Sequence, residues 1–528
     1  MKKYRLTRMV FVINVLMLFV FVFTGCISIK KEPISQNQSQ DYWPDGAWRT
    51  SSPEDQGMDS EMLYKMIDFI REQQKEIHSL LIIRNGYLVT EANFYPYQKD
   101  HKHVINSCTK SIMSSLIGIS IDEGKIQGID EKVLNYFNGY DIKNLDERKE
   151  SLKIKHLLTM TAGIDWVEEG GYGSQTDSWT QMWDNDDQIG FILNRPMKNE
   201  PGTEFYYNTG GSHLLSGILH NSLGKSTFDY SKEKLFDPIG IKNIYWESDK
   251  KGINIGGAGI YMTPSDMSKF GYMYLKKGKW NQKQVIPQDW VETATQKITD
   301  TPSGLGGRHG YGYQWWQNSF GGYSARGYGG QYIFVIPEHE MVVAFTSGLS
   351  DYDYYLPETL VESFIIPSIK SQSKLNSDPS KKDHLTKLLK EISAEPESKP
   401  IPEMPLTASQ ISGKIFVMED KSSFKFDFKD NKCTLTIYDN DSEHKIPVSL
   451  DDVMRVVDMG NFGPLPTDNK TALKGYWSDK KTFVIVSREL QDIHVLEQMY
   501  SFDKDSVILK TSSNVSPVNL DESKGSIK

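Results

Sequence analysis

The spacing of apolar and polar positions changes several times along this chain, and each change marks a boundary. Residues 77 to 95 place dense apolar and β-branched positions on both sides of Asn85-Gly86. That dipeptide readily takes the left-handed angles of a tight turn, so the stretch predicts a two-stranded hairpin. From Cys108 to about residue 124 the period lengthens: Ile112, Met113, Leu116, Ile117 and Ile119 recur at helical spacing and predict a buried helix that opens beside Ser107. Helical segments then alternate, from about 125 to 245, with polar loops rich in Gly, Trp and Asp. The clearest loop runs from 168 to 187, and it shapes a pocket or merely connects; spacing alone does not choose. Thr263-Pro264 reads as a hydroxyl cap followed by proline in the first turn of a helix over 264–275. A second hairpin is predicted from strands at 332–336 and 341–345 around the turn 337–340.

Polar low-complexity sequence from 370 to 382, a short helix and the proline-containing stretch 395–405 read as a linker over 371–406. Beyond 407, Phe424, Phe426 and Phe428, then Leu435 and Ile437, alternate with polar residues and predict a small antiparallel β barrel or sandwich reaching to about 515. No chemistry is visible in it. The expected fold is α/β of the α+β kind, an antiparallel sheet flanked by helices with an inserted, mostly helical region over 42–370, followed by the all-β domain.

Lys2, Lys3, Arg5 and Arg8 precede an apolar run from 10 to 23 that ends at Thr24-Gly25-Cys26. This has the outline of a signal peptide over 1–25, and the run is shorter than the roughly 20 residues a spanning helix needs. The small residue before Cys26 resembles a bacterial lipoprotein cleavage site, with Phe23 where such sites usually carry Leu. The expectation is a lipidated Cys26, a polar tether over 26–41 and a protein anchored to the bacterial membrane outside the cytoplasm, or secreted. The 528 residues carry a net charge of -9, and beyond residue 25 there are 56 basic against 69 acidic side chains. Phosphate binding relies on basic surface, so nucleic acid is not an expected partner. Cys108 and Cys433, the remaining cysteines, are far apart in sequence, which excludes a disulfide-stapled scaffold.

Ser107 and Lys110 are three residues apart, a spacing that puts a hydroxyl and an amine on one helix face. A serine hydroxyl attacks a carbonyl only when a base removes its proton, and burial in an apolar helix lowers a lysine toward that task. The spacing alone decides nothing, since Ser-x-x-Lys recurs at Ser222/Lys225, Ser248/Lys251, Ser422/Lys425 and Ser501/Lys504. Only the copy at Ser107 opens a long apolar helix. The stretch Pro201-Gly202-Thr203-Glu204-Phe205-Tyr206-Tyr207-Asn208-Thr209-Gly210 supplies Tyr206-x-Asn208 before another helical stretch. A phenol beside an ammonium can carry protons, and an asparagine can orient the lysine or a substrate amide. Tyr-x-Asn also occurs at Tyr136/Asn138 and Tyr438/Asn440, so it too depends on its surroundings.

Taken together these blocks resemble the serine β-lactamase and penicillin-binding protein superfamily, nearest its esterase and 6-aminohexanoate-dimer hydrolase branch. The resemblance runs from about Trp43 to Phe364 and includes Pro53-Glu54-Asp55-Gln56-Gly57, His156-Leu157-Leu158-Thr159-Met160-Thr161, Thr263-Pro264-Ser265-Asp266-Met267 and Gly327-Tyr328-Gly329-Gly330-Gln331. It implies that Ser107 forms an acyl-enzyme, Lys110 and Tyr206 share the proton, Asn208 orients, and the backbone amides of Ser107 and Gln331 form an oxyanion hole. It also implies no cofactor.

One departure bears on substrate. Where β-lactamases and penicillin-binding proteins carry Lys-Thr-Gly or His-Thr-Gly, this chain has Tyr328-Gly329-Gly330, so the charge that holds a substrate carboxylate is missing. Arg326, two residues away on a strand, is the candidate replacement. The expected substrate is a small uncharged ester or amide, or a cell-envelope component. A D,D-peptidase, penicillin-binding or β-lactamase activity and a non-catalytic surface lipoprotein are the alternatives. Trp166, Tyr172, Trp179, Trp183, Trp315 and Trp316 are candidate pocket walls for which core packing is the default, and Tyr172 in its glycine-flanked loop is the best placed to touch substrate. Cys108 reads as a packing residue, and the histidines show no metal-ligand spacing.

Overall fold

The computed structural model describes residues 42–168, 172–302, 309–376, 378–439, 442–460, 465–466, 468–515 and 521–528. The apolar N-terminal run, the tether and Cys26 lie outside these residues. Among the described residues no helix is long and apolar enough to cross a membrane.

The central sheet is built from six strands: β1 (Ile77–Arg84), β2 (Tyr87–Asn93), β3 (Trp316–Gln317), β4 (Tyr323–Gly327), β5 (Gln331–Ile336) and β6 (Met341–Ser347). They lie side by side in the order β2-β1-β6-β5-β4-β3, and every paired neighbour is antiparallel. The hairpin expected at Asn85-Gly86 forms with both residues at positive φ, 51° and 76°. Because side chains alternate across a strand, each central strand feeds two cores. Leu81, Ile83, Ile333, Val335, Val342 and Ala344 point to one, while Leu80, Ile82, Tyr332, Phe334, Val343 and Phe345 point to the other. Helices cover both faces, which explains why β1, β5 and β6 are buried along their whole length instead of alternating in polarity.

Helix α1 (Ser60–Glu72), capped by Asp59, covers one face through Leu63, Met66, Ile67 and Ile70. On the other face lie α2 (Thr109–Asp122), α3 (Thr209–Leu223) and α4 (Pro264–Leu275). Thr263 caps α4 through its hydroxyl, 3.1 Å from the Asp266 amide, with Pro264 in the first turn.

The stretch read as a linker contains α5 (Pro379–Ser393), and this helix is no tether. Leu385, Leu388 and Ile392 join the core beneath α1, each burial contributing about 2 kcal/mol. Its polar face dominates the sequence, and four aliphatic residues in fifteen are too few to signal docking.

The C-terminal domain is a ten-stranded antiparallel sheet that comprises β7 (Ile415–Met418), β8 (Ser423–Lys429), β9 (Lys432–Asp439), β10 (Ser442–Val448), β11 (Arg455–Asp458), β12 (Lys470–Trp477), β13 (Thr482–Glu489), β14 (Val495–Asp503), β15 (Ser506–Ser513) and β16 (Asp521–Ile527). The order is β10-β9-β8-β7-β16-β15-β14-β13-β12-β11, and the bridge from Ser449 to Lys474 draws its ends together into a near-barrel. Phe416, Phe424, Phe426, Phe483, Tyr500 and Phe502 fill it. The boundary at 515 is too short, since β16 pairs with both β7 and β15 in the middle of the sheet. Its sequence lacks apolar alternation, so only backbone pairing reveals it as a strand.

Candidate active site

Ser107 lies in a single 3₁₀ turn, Asn106–Cys108, that runs directly into α2. Asn106 stands at φ 45°, a left-handed conformation that asparagine tolerates better than most residues, and its amide donates to the Tyr328 carbonyl at 2.8 Å. That bond ties the nucleophile turn to the end of β4. Cys108 donates from Sγ to the Gln331 carbonyl at 3.4 Å, so the start of β5 abuts the same turn. Burial pushes the Cys108 thiol far up, which leaves it a packing residue.

Lys110 is 1% exposed and its Nζ sits 2.9 Å from Ser107 Oγ and 2.9 Å from the Gly257 carbonyl. Burial pushes its pKa down to about 8, against the opposing charge of Glu168 and a smaller effect of Cys108. An amine so placed can release its proton near neutral pH, use Gly257 as a fixed acceptor and turn its lone pair to the serine.

The phenol that meets Ser107 belongs to Tyr207, not to Tyr206. The Tyr207 phenol lies within interaction range of the Ser107 side chain, which lowers its pKa, and its ring centroid is 4.8 Å from Lys110 Nζ. The segment before α3 is extended, so neighbouring side chains face opposite ways. Phe205 and Tyr207 pack with Tyr311 and Trp316, whereas Tyr206 packs on the helical core with the Lys198 ammonium 5.5 Å from its ring. The expectation for Tyr206 was out of register by one residue, because Tyr206-x-Asn208 was a chance match inside the run Tyr206-Tyr207-Asn208. Burial foremost, with the nearby Tyr311 and Glu168, drives the Tyr207 phenol well above its usual pKa, and the Ser107 side chain offsets only part of this. Tyr207 is therefore a proton donor at neutral pH, and Lys110 is the one of the two whose basic form is available there. Asn208 does not orient the lysine: its Oδ1 caps α3, accepting from the Gly211 amide at 2.8 Å.

Glu168 and Thr209 were missed in the sequence. The Glu168 carboxylate accepts from Trp166 Nε1 at 2.7 Å, the Thr209 amide at 2.8 Å, the Thr209 hydroxyl and the Tyr172 hydroxyl at 3.2 Å. It thereby pins the loop that carries Tyr172 to the start of α3. Thr209, directly after Asn208, was the available signal; Glu168 sat at the edge of a loop with no motif.

Gly329 and Gly330 make the turn between β4 and β5 at φ 76° and 86°. They serve the turn and not the pocket wall. A Cβ on Gly329 would fall 2.9 Å from Ile493, and one on Gly330 would fall 2.6 Å from Leu349. Gln331 is locked by its side chain, which donates to the Ser347 carbonyl at 2.6 Å and accepts from the Ser347 amide at 3.2 Å. Arg326 cannot replace the missing substrate-binding charge: it is 3% exposed, forms an ion pair with Glu358 at 2.6 Å and donates to Ser324 Oγ at 3.0 Å. Alternation along β4 turns it away from Ser107, into the layer where Trp316 and Tyr332 stack near it.

A pocket of about 310 Å³ opens at Ser107, lined by Asn106, Tyr172, Trp179, Thr209 and Tyr328 among others. Tyr172 and Tyr328, both part of this lining, meet edge to face at 4.7 Å. Trp166 and Trp315 are wholly buried, Trp316 nearly so, and Trp183 is exposed. Asp492, Ile493 and His494, from the turn between β13 and β14, complete the lining. Among the described residues no group of three or more His, Cys, Asp or Glu side chains could hold a metal ion.

The Beta-lactamase family model matches residues 66–353. The 6-aminohexanoate-dimer hydrolase of Paenarthrobacter ureafaciens is 23% identical over 301 residues, covering 52% of this chain and 73% of the relative. An uncharacterised protein of Alkalihalophilus pseudofirmus is 24% identical over 302 residues, covering 51% and 83%. Among solved structures, a Bacillus anthracis chain named for 6-aminohexanoate-dimer hydrolase superposes with a TM-score of 0.52 at 20% identity, covering 62% of this chain and 90% of the other; it bears on fold alone. With more than half of its length matched by the family model, the chain belongs to the Beta-lactamase family, a family of hydrolases.

Proposed function

We propose that this protein is a serine hydrolase that cleaves a small ester or amide through an acyl-enzyme on Ser107. The carrying observation is the 2.9 Å contact between a buried Lys110 amine and the Ser107 hydroxyl. In its free-base form Lys110 takes the hydroxyl proton as Oγ bonds to the carbonyl carbon, a general-base contribution of roughly 10²–10⁴-fold. The carbonyl becomes an oxyanion facing the backbone amides of Ser107 and Gln331, each such donor contributing on the order of 10²–10³ in rate. Collapse breaks the bond to the leaving group, which receives the proton from Lys110 by way of the Tyr207 hydroxyl. Water then enters, loses a proton along the same route in reverse, and frees the acid and Ser107.

The named activity of the Paenarthrobacter relative, hydrolysis of a dimer of 6-aminohexanoate, supports an amide or ester of modest size. The signal-like run and Cys26 support a site of action outside the cytoplasm, with a lipid anchor at Cys26. Turnover of p-nitrophenyl esters by the protein and by Ser107→Ala tests the reading. Turnover is expected to vanish with the hydroxyl, and equal rates would refute it.

A further inference from the structure

The C-terminal domain reaches into the pocket of the hydrolase domain. Ile493 lies over Gly329, the Gln491 carbonyl accepts from the Val104 amide at 2.8 Å, and Asn514 donates to the Gly348 carbonyl at 2.7 Å. Arg488 forms an ion pair with Glu76 on the hydrolase side. These contacts hold the β13–β14 turn in place, with Asp492 and His494 on the wall of the cavity that contains Ser107.

The charged groups of that wall differ in what they have left to offer. Both Glu168 oxygens are occupied by donors. Asp492 accepts from the Ile493 amide at 2.6 Å through one oxygen and from His494 Nδ1 at 3.1 Å through the other. Lys110 is held between Ser107 and Gly257. His494 is different: with Nδ1 fixed on Asp492, its Nε2 has no hydrogen-bond partner among the described residues. A ligand entering here therefore meets satisfied carboxylates and, at His494 Nε2, a ring nitrogen left without a partner among the described residues.

We propose that His494, oriented by Asp492, is a specificity-determining residue that binds a carboxylate of the substrate, restoring from the second domain the charge that Tyr328 and Arg326 do not supply. The inference rests on the hydrolase reading of Ser107 and names its substrate class: short esters or amides bearing a free acid. A carboxylate is the fitting partner because it presents acceptors only, and a hydrogen bond between two charged groups is the strong kind. Burial works against a charged His494 imidazole, but the Asp492 bond and the charges of Asp492 and Glu489 outweigh it and hold the imidazole above its usual range.

The test compares matched esters: mono-p-nitrophenyl glutarate against p-nitrophenyl pentanoate, with the acid on the acyl side, and meta-acetoxybenzoate against phenyl acetate, with the acid on the leaving group. The protein is expected to favour the acid member of at least one pair. His494→Gln should reduce that kcat/KM ratio roughly tenfold or more, chiefly through KM, and His494→Lys should recover part of it. No preference in the unaltered protein, or a ratio unmoved by His494→Gln, overturns the proposal. Calorimetric binding of glutarate to Ser107→Ala, and to Ser107→Ala/His494→Gln, reads the carboxylate site without turnover. Weaker binding in the double variant supports it, whereas equal binding or none overturns it, so a failure of the hydrolase reading remains distinguishable.

Discussion

The Lys110 amine touches the Ser107 hydroxyl at 2.9 Å from within an almost fully buried helix. Burial both lowers the amine's pKa and holds it on the nucleophile, so one structural fact accounts for the free-base fraction and its position together.

The first consequence is a pH profile. With Lys110 pushed down to about 8, the reactive free base is the minor form at pH 6 and the major form at pH 9. The kcat/KM for a neutral ester should rise with pH and level off above about 8. A flat profile between pH 6 and 9 would detach Lys110 from the proton transfer.

Glu168 sets where that rise falls. Its carboxylate raises the Lys110 pKa against the larger effect of burial, so Glu168→Gln should move the limb to lower pH. The variant should also lose about 1–3 kcal/mol of stability, because a Gln amide meets donors where Glu168 accepts from Trp166 and Thr209. A limb moved to higher pH would contradict this electrostatic account.

The two adjacent tyrosines should separate cleanly. Tyr207→Phe removes the phenol beside Ser107 and should lower kcat by roughly 10²–10³-fold, while Tyr206→Phe should stay within a few-fold. Steady-state kinetics on one ester compares them, and the reverse ranking would restore the register read in the sequence.

Lys110→Met should inactivate the protein yet stabilise it. Lys110 titrates near 8 when folded and near 10.5 when unfolded. Below pH 8 both states are protonated and the buried charge imposes its full penalty. Between 8 and 10.5 the unfolded chain binds more protons, so the stability of the unaltered protein rises with pH. The advantage of Lys110→Met in a denaturant melt should therefore shrink from pH 7 to pH 10, and a constant difference would show that the charge is not the cause.

Several of these features were legible in the sequence for local reasons. Asn85-Gly86, Thr263-Pro264 and the apolar helix after Ser107 each encode their geometry within a few residues, and the structure forms them as read. What escaped depends on distant pairing. The strand Asp521–Ile527 is defined by its neighbours β7 and β15, and α5 docks through Leu385, Leu388, Leu389 and Ile392. Tyr206 and Tyr207 are chemically identical, and only which face of an extended segment meets Ser107 distinguishes them. Asp492 and His494 lie almost four hundred residues beyond Ser107 in a domain with no visible motif, and only the packing of that domain brings them to the pocket.

The most direct measurement is the intact mass of the protein after exposure to a fluorophosphonate, with peptide mapping of the adduct. A single adduct on Ser107, absent from Ser107→Ala and strongly slowed in Lys110→Met, is the predicted result. An adduct on another residue, or equal labelling of Ser107→Ala, would contradict the account.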